Sequence, residues 1–281
     1  MKKKVFLFGL LFSLLLLCGC GVNLTSTVKL NKDFSGTRVM SCTFSSRDFH
    51  SYFKGSKEDL NKLIKESCPD ALTYTSSSSD GNDTYTFYLR FSSLDDYKKK
   101  VRDLLNFSPE ITYEYGDSPF VSGLIYKENF TSKDLMTWLY TTLYEGKYID
   151  KDSSSDLWDL KSTEISFLGT TYETKDKINI DEMAYVPLSS IHIDTKTKKS
   201  GKLARVIEFD LPQQTLDQNA GKIRSYFAGN DITWENTSDG KTLCISFDGN
   251  NFSDLAQKTR TVLHSKNSFG TYSSTCSKDN P

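Results

Sequence analysis

The feature that most constrains the fold is a pattern of strands and helices that occurs twice along the chain. Alternating apolar and polar residues predict a β-hairpin over residues 26–44, followed by a helix, two strands and a second helix. The same order recurs after residue 189. A repeat of this length that occurs only twice predicts two related α+β domains, because a solenoid needs more and shorter units.

The helices of this pattern are indicated by a capping signal and by periodicity. Ser56, with Asp59 three residues later, predicts a helix N-terminus, and Pro69 predicts its end. In the middle segment, Ser132 or Thr131 is predicted to cap a helix whose apolar face consists of Leu135, Met136, Leu139 and Leu143. The second helix has an apolar stripe at the 3.6-residue period. Its members, followed by their counterparts in the second copy, are Leu94, Tyr97, Val101, Leu104 and Leu105, and Phe252, Leu255, Thr259, Val262 and Leu263.

The strands of the two copies also match residue by residue. In the hairpin, one offset pairs Gly36 with Gly201 and Phe44 with Phe209, which places Cys42 opposite Ile207. The remaining matches lie on other strands and pair Val28 with Ile191, Leu30 with Ile193, Tyr74 with Trp234, Phe87 with Leu243, Leu89 with Ile245 and Phe91 with Phe247.

The N-terminus resembles the export signal of bacterial lipoproteins. Lys2, Lys3 and Lys4 precede an uncharged run from Val5 to Leu17, which is the charged and then apolar order of a signal peptide. That run falls short of the roughly 20 residues of a transmembrane helix, so a retained membrane anchor is the weaker alternative, together with a secretory signal without lipid. Leu17-Cys18-Gly19-Cys20 resembles a lipobox, which implies cleavage before Cys20 and attachment of fatty acyl chains such as palmitate to it.

We therefore predict an α+β fold with two repeated β-β-α-β-β-α-β modules joined by a small α/β middle segment. Each module is expected to be a two-layer sandwich with a mostly antiparallel sheet. A ferredoxin-like arrangement would give the second strand three neighbours, so the strand order stays open. The predicted segments are a signal peptide at 1–19, the first module at 20–115, the middle segment at 116–188, the second module at 189–275 and a tail at 276–281.

The lipid would attach the mature chain to the extracytoplasmic face of the cell membrane, because several acyl chains together give stable anchoring. Without residues 1–19 the chain keeps 32 of its 35 Lys and Arg against 36 Asp and Glu, a net charge of −4. A nucleic-acid partner is not expected, since such proteins carry a concentrated basic face.

Four cysteines remain after the lipobox, at positions 42, 68, 244 and 276. An oxidising exterior permits disulfides between Cys42 and Cys68 and between Cys244 and Cys276. The alternative is buried or idle thiols, because Cys is among the most buried residues. These cysteines and the histidines have no zinc-site spacing, so neither a metal nor a cofactor is predicted.

No catalytic motif is present in the sequence. There is no Gly-x-Ser-x-Gly turn, no P-loop and no Gly-x-Gly-x-x-Gly. We interpret His50, His192 and His264 as solvated surface residues, with His192 pointing outward from a strand whose inward residues are Ile191 and Ile193. No catalytic residue is predicted and the protein is not expected to be an enzyme.

One basic hairpin turn is a candidate for contact with an anionic membrane or wall polymer, as polybasic segments make. The alternative for these residues is ordinary solvation. They are Lys196, Lys198, Lys199 and Lys202.

The hairpin from Val28 to Met40 resembles the opening hairpin of uncharacterised surface lipoproteins of Gram-positive bacteria and, more distantly, the lipoprotein M domain of mycobacteria. The mycobacterial resemblance implies lipid or glycolipid handling in the envelope, and no binding residue carries over. We expect a non-enzymatic lipoprotein that binds a lipid, glycopolymer or protein of the cell envelope. The alternatives are a structural or assembly component of a membrane complex and an envelope hydrolase.

Overall fold

The computed structural model describes residues 22–45, 53–150 and 158–264. The chain divides into two compact units, the first of Met1–Tyr115 and Leu124–Glu182 and the second of Gly116–Gly123 and Met183–Pro281. This division differs from the predicted boundaries, because the stretch predicted as a separate middle segment is shared between the two units.

The described residues form fourteen strands and six helices. The strands are β1 Val22–Leu30, β2 Gly36–Ser45, β3 Thr73–Ser79, β4 Asn82–Phe91, β5 Ile111–Asp117, β6 Val121–Glu128, β7 Trp158–Phe167, β8 Thr170–Thr174, β9 Asn179–Asp181, β10 Ala184–Tyr185, β11 Ser190–Thr197, β12 Leu203–Pro212, β13 Asp231–Asn236 and β14 Gly240–Gly249. The helices are α1 Lys57–Ser67, α2 Leu94–Leu104, α3 Ser132–Leu135, α4 Thr137–Glu145, α5 Gln213–Tyr226 and α6 Phe252–Val262.

The main sheet of the first unit has six strands in the order β3-β4-β2-β1-β7-β8. Its neighbours are antiparallel except β1 and β7, which run parallel over the whole length of β1. The prediction placed the first strand from residue 26, whereas β1 begins at Val22, two residues after Cys20. The strand that follows the predicted lipid site is therefore an inner strand of this sheet.

The strand order explains why a ferredoxin-like arrangement does not form. β2 has β1 on one edge and β4 on the other, so neither edge is open for a further strand. β5, predicted to close the first module, instead pairs with β6, which also pairs with β9 and β10. The strand predicted to close the first module therefore lies in a different sheet from β1 to β4, and the predicted repeated module is not confirmed.

Part of the predicted middle segment extends the first sheet. β7 pairs with the free edge of β1, and β8 follows β7 as an antiparallel hairpin. β7 and β8 thus belong to the same sheet as β1 to β4, whereas β6, β9 and β10 of the same segment lie in the separate sheet with β5.

The helices of the first unit confirm the capping predictions. Ser56 caps α1 in a capping box with Asp59, and Thr131 caps α3 in the same way with Asp134. The predicted helix after Thr131 is divided at Met136 into α3 and α4. Its four predicted apolar residues are all fully buried, and they are Leu135, Met136, Leu139 and Leu143.

The first unit has one apolar core on the helix side of the main sheet. Phe34, in the turn between β1 and β2, is 1% exposed and has a left-handed backbone with φ of 62°. Its ring lies 4.7–5.6 Å from four other aromatic rings. Contacts of this number offset the cost of a left-handed non-glycine residue. The four rings are those of Phe91, Tyr97, Tyr113 and Tyr126.

The second unit is an antiparallel sheet in the order β11-β12-β14-β13 with a smaller apolar core. Phe120, from the loop between β5 and β6, stacks on Phe209 at 5.8 Å with an angle of 8° between the rings. The strands of the first unit that come at the same places in the chain have the order β1-β2-β4-β3. The predicted α+β class with mostly antiparallel sheets is confirmed.

Candidate functional site

The outer face of the first sheet, opposite the core, carries Ser and Thr side chains in regular ranks. Along β1, β2 and β4, buried residues alternate with residues that remain partly or fully exposed. Residues directly opposite on paired strands share a face, so the strand registers define the ranks. A rank is one row of outward side chains running across β3, β4, β2 and β1. Three such ranks together are called the hydroxyl face, and they are Thr75-Thr86-Ser41-Thr25, Ser77-Thr84-Thr43-Asn23 and Thr73-Tyr88-Val39-Thr27.

The hydroxyl groups of this face are held in place by the sheet and by each other. The Ser41 and Thr86 hydroxyl oxygens lie 3.1 Å apart, and those of Thr43 and Thr84 lie 3.0 Å apart. On β7, Ser162 is opposite Thr25 in the first rank, and the carboxylates Asp159 and Glu164 are opposite Asn23 and Thr27 at the ends of the other two ranks. Because Thr is stiff at its first side-chain torsion, the face presents donors and acceptors in a fixed array.

A second polar cluster lies inside the first unit and is closed to solvent. Arg38 Nη1 donates to Glu128 Oε2 at 2.7 Å and to the Tyr97 hydroxyl at 2.6 Å, and Nη2 donates to Ser132 Oγ at 2.9 Å. The hydroxyls of Tyr97 and Tyr126 donate to Glu128. Both side chains of the ion pair are at most 1% exposed.

The surroundings of this cluster keep Arg38 charged and the two tyrosines protonated. Burial acts to lower the pKa of Arg38, but Glu128, Tyr97 and Tyr126 outweigh it and the pKa is raised. Burial raises the pKa of Tyr97 and of Tyr126, so both remain hydroxyl donors. A buried pair with these partners joins elements of the fold, and we assign it a structural role.

A Ser, a His and an Asp meet on the outer face of the second sheet. Ser190 donates to Asp210, and Thr242 donates to the same carboxylate at 2.6 Å, and these bonds lower the pKa of Asp210. His192 Nε2 lies 3.1 Å from Ser190 Oγ. The single hydroxyl proton of Ser190 goes to Asp210, so a hydrogen bond between Ser190 and His192 requires the His192 tautomer with its proton on Nε2. The arrangement differs from that of a serine nucleophile, in which the His accepts the proton.

The edge strand β11 corrects one prediction. Ile191 and Ile193, predicted to point inward, are 50% and 55% exposed. Their cross-strand partners Phe209 and Ile207 are buried, so the two isoleucines lie on the core side of the sheet beyond its covered part. A strand pattern predicts which residues share a face, but it does not predict how far the opposite layer extends.

The four predicted anion-contact lysines lie together at the exposed turn between β11 and β12. Lys196 pairs with Asp194 at 2.7 Å and Lys198 with Asp248 at 2.6 Å. Within the described parts of the chain, Lys199 and Lys202 have no salt bridge. Two carboxylates therefore offset half of the positive charge, and contact with an anionic surface stays a prediction.

Of the two alternatives left open for Cys42 and Cys68, the structure shows free thiols and no disulfide. Cys42 and Cys244 are buried free thiols, and Cys68 is a partly buried free thiol at the end of α1. The Cys42 side chain points into the core from β2 and is 0% exposed, and burial raises its pKa. Cys276, the predicted partner of Cys244, lies outside the described residues.

Two open grooves occur in the first unit. One, of about 450 Å³, lies beside β8 and β9 and is lined by residues that include Tyr172, Lys177 and Glu182. The other, of about 550 Å³, lies between α1 and the edge strand β3 and is lined by residues that include Lys65 and Tyr74. Both are open to solvent and lined mainly by polar and charged residue types, unlike the enclosed apolar cavities that hold small lipids.

Several predicted residues fall outside the described ranges, namely Cys20, His50 and Cys276. His264 is described, and its Nε2 donates to the Tyr226 carbonyl oxygen at 2.9 Å. In residues 22–45, 53–150 and 158–264, no group of His, Cys, Asp and Glu could hold a metal ion. None of the helices described is both long and apolar enough to cross a membrane.

Sequence reasoning missed the buried ion pair and the hydroxyl face. Arg38 is an even number of residues from Met40, Cys42 and Phe44 along β2, so its charged side chain lies on the same, core-facing side of the strand. Most of the outward positions of β1, β2, β3 and β4 are Ser or Thr. The alternation of residues along each strand contains both the inward arginine and the outward Ser and Thr residues. How the Ser and Thr residues line up across the sheet follows only from the strand registers.

Comparison with known proteins does not identify a family. No protein-family model matches the chain, and the search of curated proteins returned no relative.

Proposed function

We propose that this chain is a lipid-anchored lipoprotein of the extracytoplasmic membrane face that binds a component of the cell envelope without catalysing a reaction. The observation that carries the proposal is Leu17-Cys18-Gly19-Cys20 at the end of an apolar run of signal-peptide length. Lipid on Cys20 would anchor the mature chain by more than one acyl chain, which stable anchoring requires.

The position of β1 supports this reading. Val22 begins β1, so a single residue separates Cys20 from the first strand. A lipidated Cys20 would thus hold the first sheet close to the membrane surface. A binding surface on that sheet would work at short range from the membrane.

The polar surfaces of the two units favour binding over catalysis. The hydroxyl face is broad and presents fixed donors and acceptors, as a binding surface does. The Ser190, His192 and Asp210 cluster has its proton directed from Ser190 to Asp210, which does not activate the serine. These arrangements support a binding protein.

The test of the anchor is metabolic labelling with an alkyne fatty acid in a bacterial host that processes lipoproteins. The wild-type chain should incorporate label and fractionate with membranes, and Cys20→Ala should lose both properties. Cys18→Ala is the matched control, because it removes a neighbouring thiol without removing the lipidated one. Fatty-acid label retained by Cys20→Ala would refute the assignment, whatever the result for Cys18→Ala.

We also infer that the two sheets derive from one duplicated β-β-α-β-β-α unit. The shared strand order supports this inference. Leu89 pairs with Arg38, and its predicted counterpart Ile245 pairs with Ile207. The registers therefore match Arg38 with Ile207. The sequence comparison matched Cys42 with Ile207, so the predicted match for β2 is shifted by four residues.

A further inference from the structure

We propose that the hydroxyl face binds an uncharged polysaccharide chain. This inference rests on the proposed binding function and names the chemical class of its partner. The proposal is based on the three ranks of side chains across β3, β4, β2 and β1, in which most residues bear a hydroxyl group and none is charged.

The absence of charge from these ranks is unusual for an exposed sheet face. Charged residues make up 25% of the whole sequence, so its composition alone would place about three among the twelve positions of the hydroxyl face. Exposed surfaces carry at least that share, since charge keeps proteins soluble. Ten of the twelve positions are instead hydroxyl-bearing, nine of them Ser or Thr and the tenth Tyr88. The other two are Asn23 and Val39.

The second sheet provides an internal comparison, because its strands have the same order. Its outer face has the ranks Ser190-Asp210-Thr242-Glu235, His192-Glu208-Cys244-Thr233 and Asp194-Val206-Ser246-Asp231. Every one of these ranks contains a carboxylate. A solvated face of this topology therefore tolerates charge, and solvation alone does not account for the composition of the hydroxyl face.

The chemistry of the face fits the hydroxyl groups of sugars. Each Ser or Thr hydroxyl is one donor and two acceptors, and its proton rotates to suit the partner. The pair Ser41 and Thr86 uses one of its two protons internally, which leaves the other for a ligand. Within a rank, neighbouring strands lie about 4.8 Å apart, and successive ranks lie about 6.7 Å apart along the strands. An extended polymer lying across the face would therefore meet a new side chain at each step.

Charge complementarity separates a neutral polymer from a polyanion. Lys29 and Arg90 lie together with Thr37 in the next rank, at one end of the face. At the β7 border of the face, Asp159 and Glu164 are opposite Asn23 and Thr27, and Lys161 pairs with Asp159. A phosphate polymer lying over the three uncharged ranks would give up its hydration there without meeting a cation. A neutral sugar chain pays no such cost, and the sheet already fixes the groups that it would contact.

The test uses the full lipoprotein in detergent and affinity electrophoresis through gels that contain pullulan, laminarin or galactomannan as uncharged probes, or poly(glycerol phosphate) as the anionic probe. At least one uncharged probe should retard the wild-type protein. The Thr84→Val, Thr86→Val double variant keeps side-chain shape and strand propensity, and it should weaken this binding at least tenfold. Thr233→Val, on the outer face of the second sheet, is the control and should bind as wild type.

Three results would overturn the proposal: no retardation by any uncharged probe, binding by the double variant equal to wild type, or retardation by poly(glycerol phosphate) alone. Thermal unfolding of the double variant should match wild type within a few degrees, so that lost binding is not lost folding. Binding in detergent does not need the anchor. Failure here is therefore distinct from failure of the fatty-acid labelling of Cys20, which tests the lipoprotein assignment.

Discussion

Arg38 and Glu128 form an ion pair of 2.7 Å inside the first unit and join β2 to the last residue of β6. Removing one partner leaves the other charge buried and unpaired, which costs about 3–5 kcal/mol. We expect Arg38→Met to lower the free energy of unfolding by about this amount, measured by urea denaturation.

The double variant Arg38→Met, Glu128→Leu is the control for this prediction. It removes both charges, so it should recover most of the stability lost in the single variant. A double variant as unstable as Arg38→Met would show that side-chain packing, and not the unpaired charge, dominates at this position.

The cross-strand neighbours Ile193 and Ile207 should respond differently to the same substitution. Ile207 is fully buried, and Ile207→Ala should cost about 2–5 kcal/mol through lost burial and a cavity. Ile193 is 55% exposed, so Ile193→Ala should cost less than about 1 kcal/mol. Thermal or chemical unfolding of the two variants compares them directly. Equal losses would mean that β11 is covered in the folded protein.

The thiols should react at different rates in the native protein. Burial raises the pKa of Cys42 and of Cys68, but Cys42 is fully enclosed while Cys68 is partly exposed. We expect iodoacetamide to label Cys68 first and to label Cys42 only after unfolding, as measured by peptide mass spectrometry. If both sites stay unlabelled until a reductant is added, the Cys42–Cys68 disulfide of the sequence prediction forms after all.

The start of α2 should contribute to acid sensitivity. The Asp96 carboxylate accepts from the Ser92 backbone N–H at 2.9 Å and from Lys100 at 3.0 Å, and these bonds hold its pKa below the ordinary 3.8. A folded pKa below the unfolded one stabilises the protein above the unfolded value, and this contribution is lost as the pH falls through the folded pKa.

Asp96→Asn should therefore be less stable than wild type near about pH 7 and approach wild type by about pH 2. Urea denaturation across this range measures the difference. A difference that does not change with pH would assign the effect to helix capping geometry and not to the charge of Asp96.

Local patterns in the sequence predicted much of the fold. The capping boxes at Ser56 and Thr131 and the apolar stripe of α2 concern neighbours within one turn, and the structure confirms them. The α+β class follows from alternation of the same local kind. These features are set by contacts between residues close in sequence, which a single sequence displays.

Features that depend on distant segments were not predicted. The parallel pairing of β1 with β7 links residues more than a hundred positions apart. The alternation of residues within each strand does not indicate which other strand it pairs with. The ion pair of Arg38 and the ranks of the hydroxyl face depend on the same long-range registers. The exposure of Ile191 depends on where the helix layer ends, which the strand pattern does not contain.

The position of β1 also has a mechanical consequence. Hydrogen bonds connect β1 to β2 on one side and to β7 on the other along its length. A force applied at Val22 along the strand would load these bonds together in shear, whereas an edge strand pulled sideways would unzip one bond at a time. A chain held at its N-terminal end is thus attached at a point from which tension spreads over three strands at once.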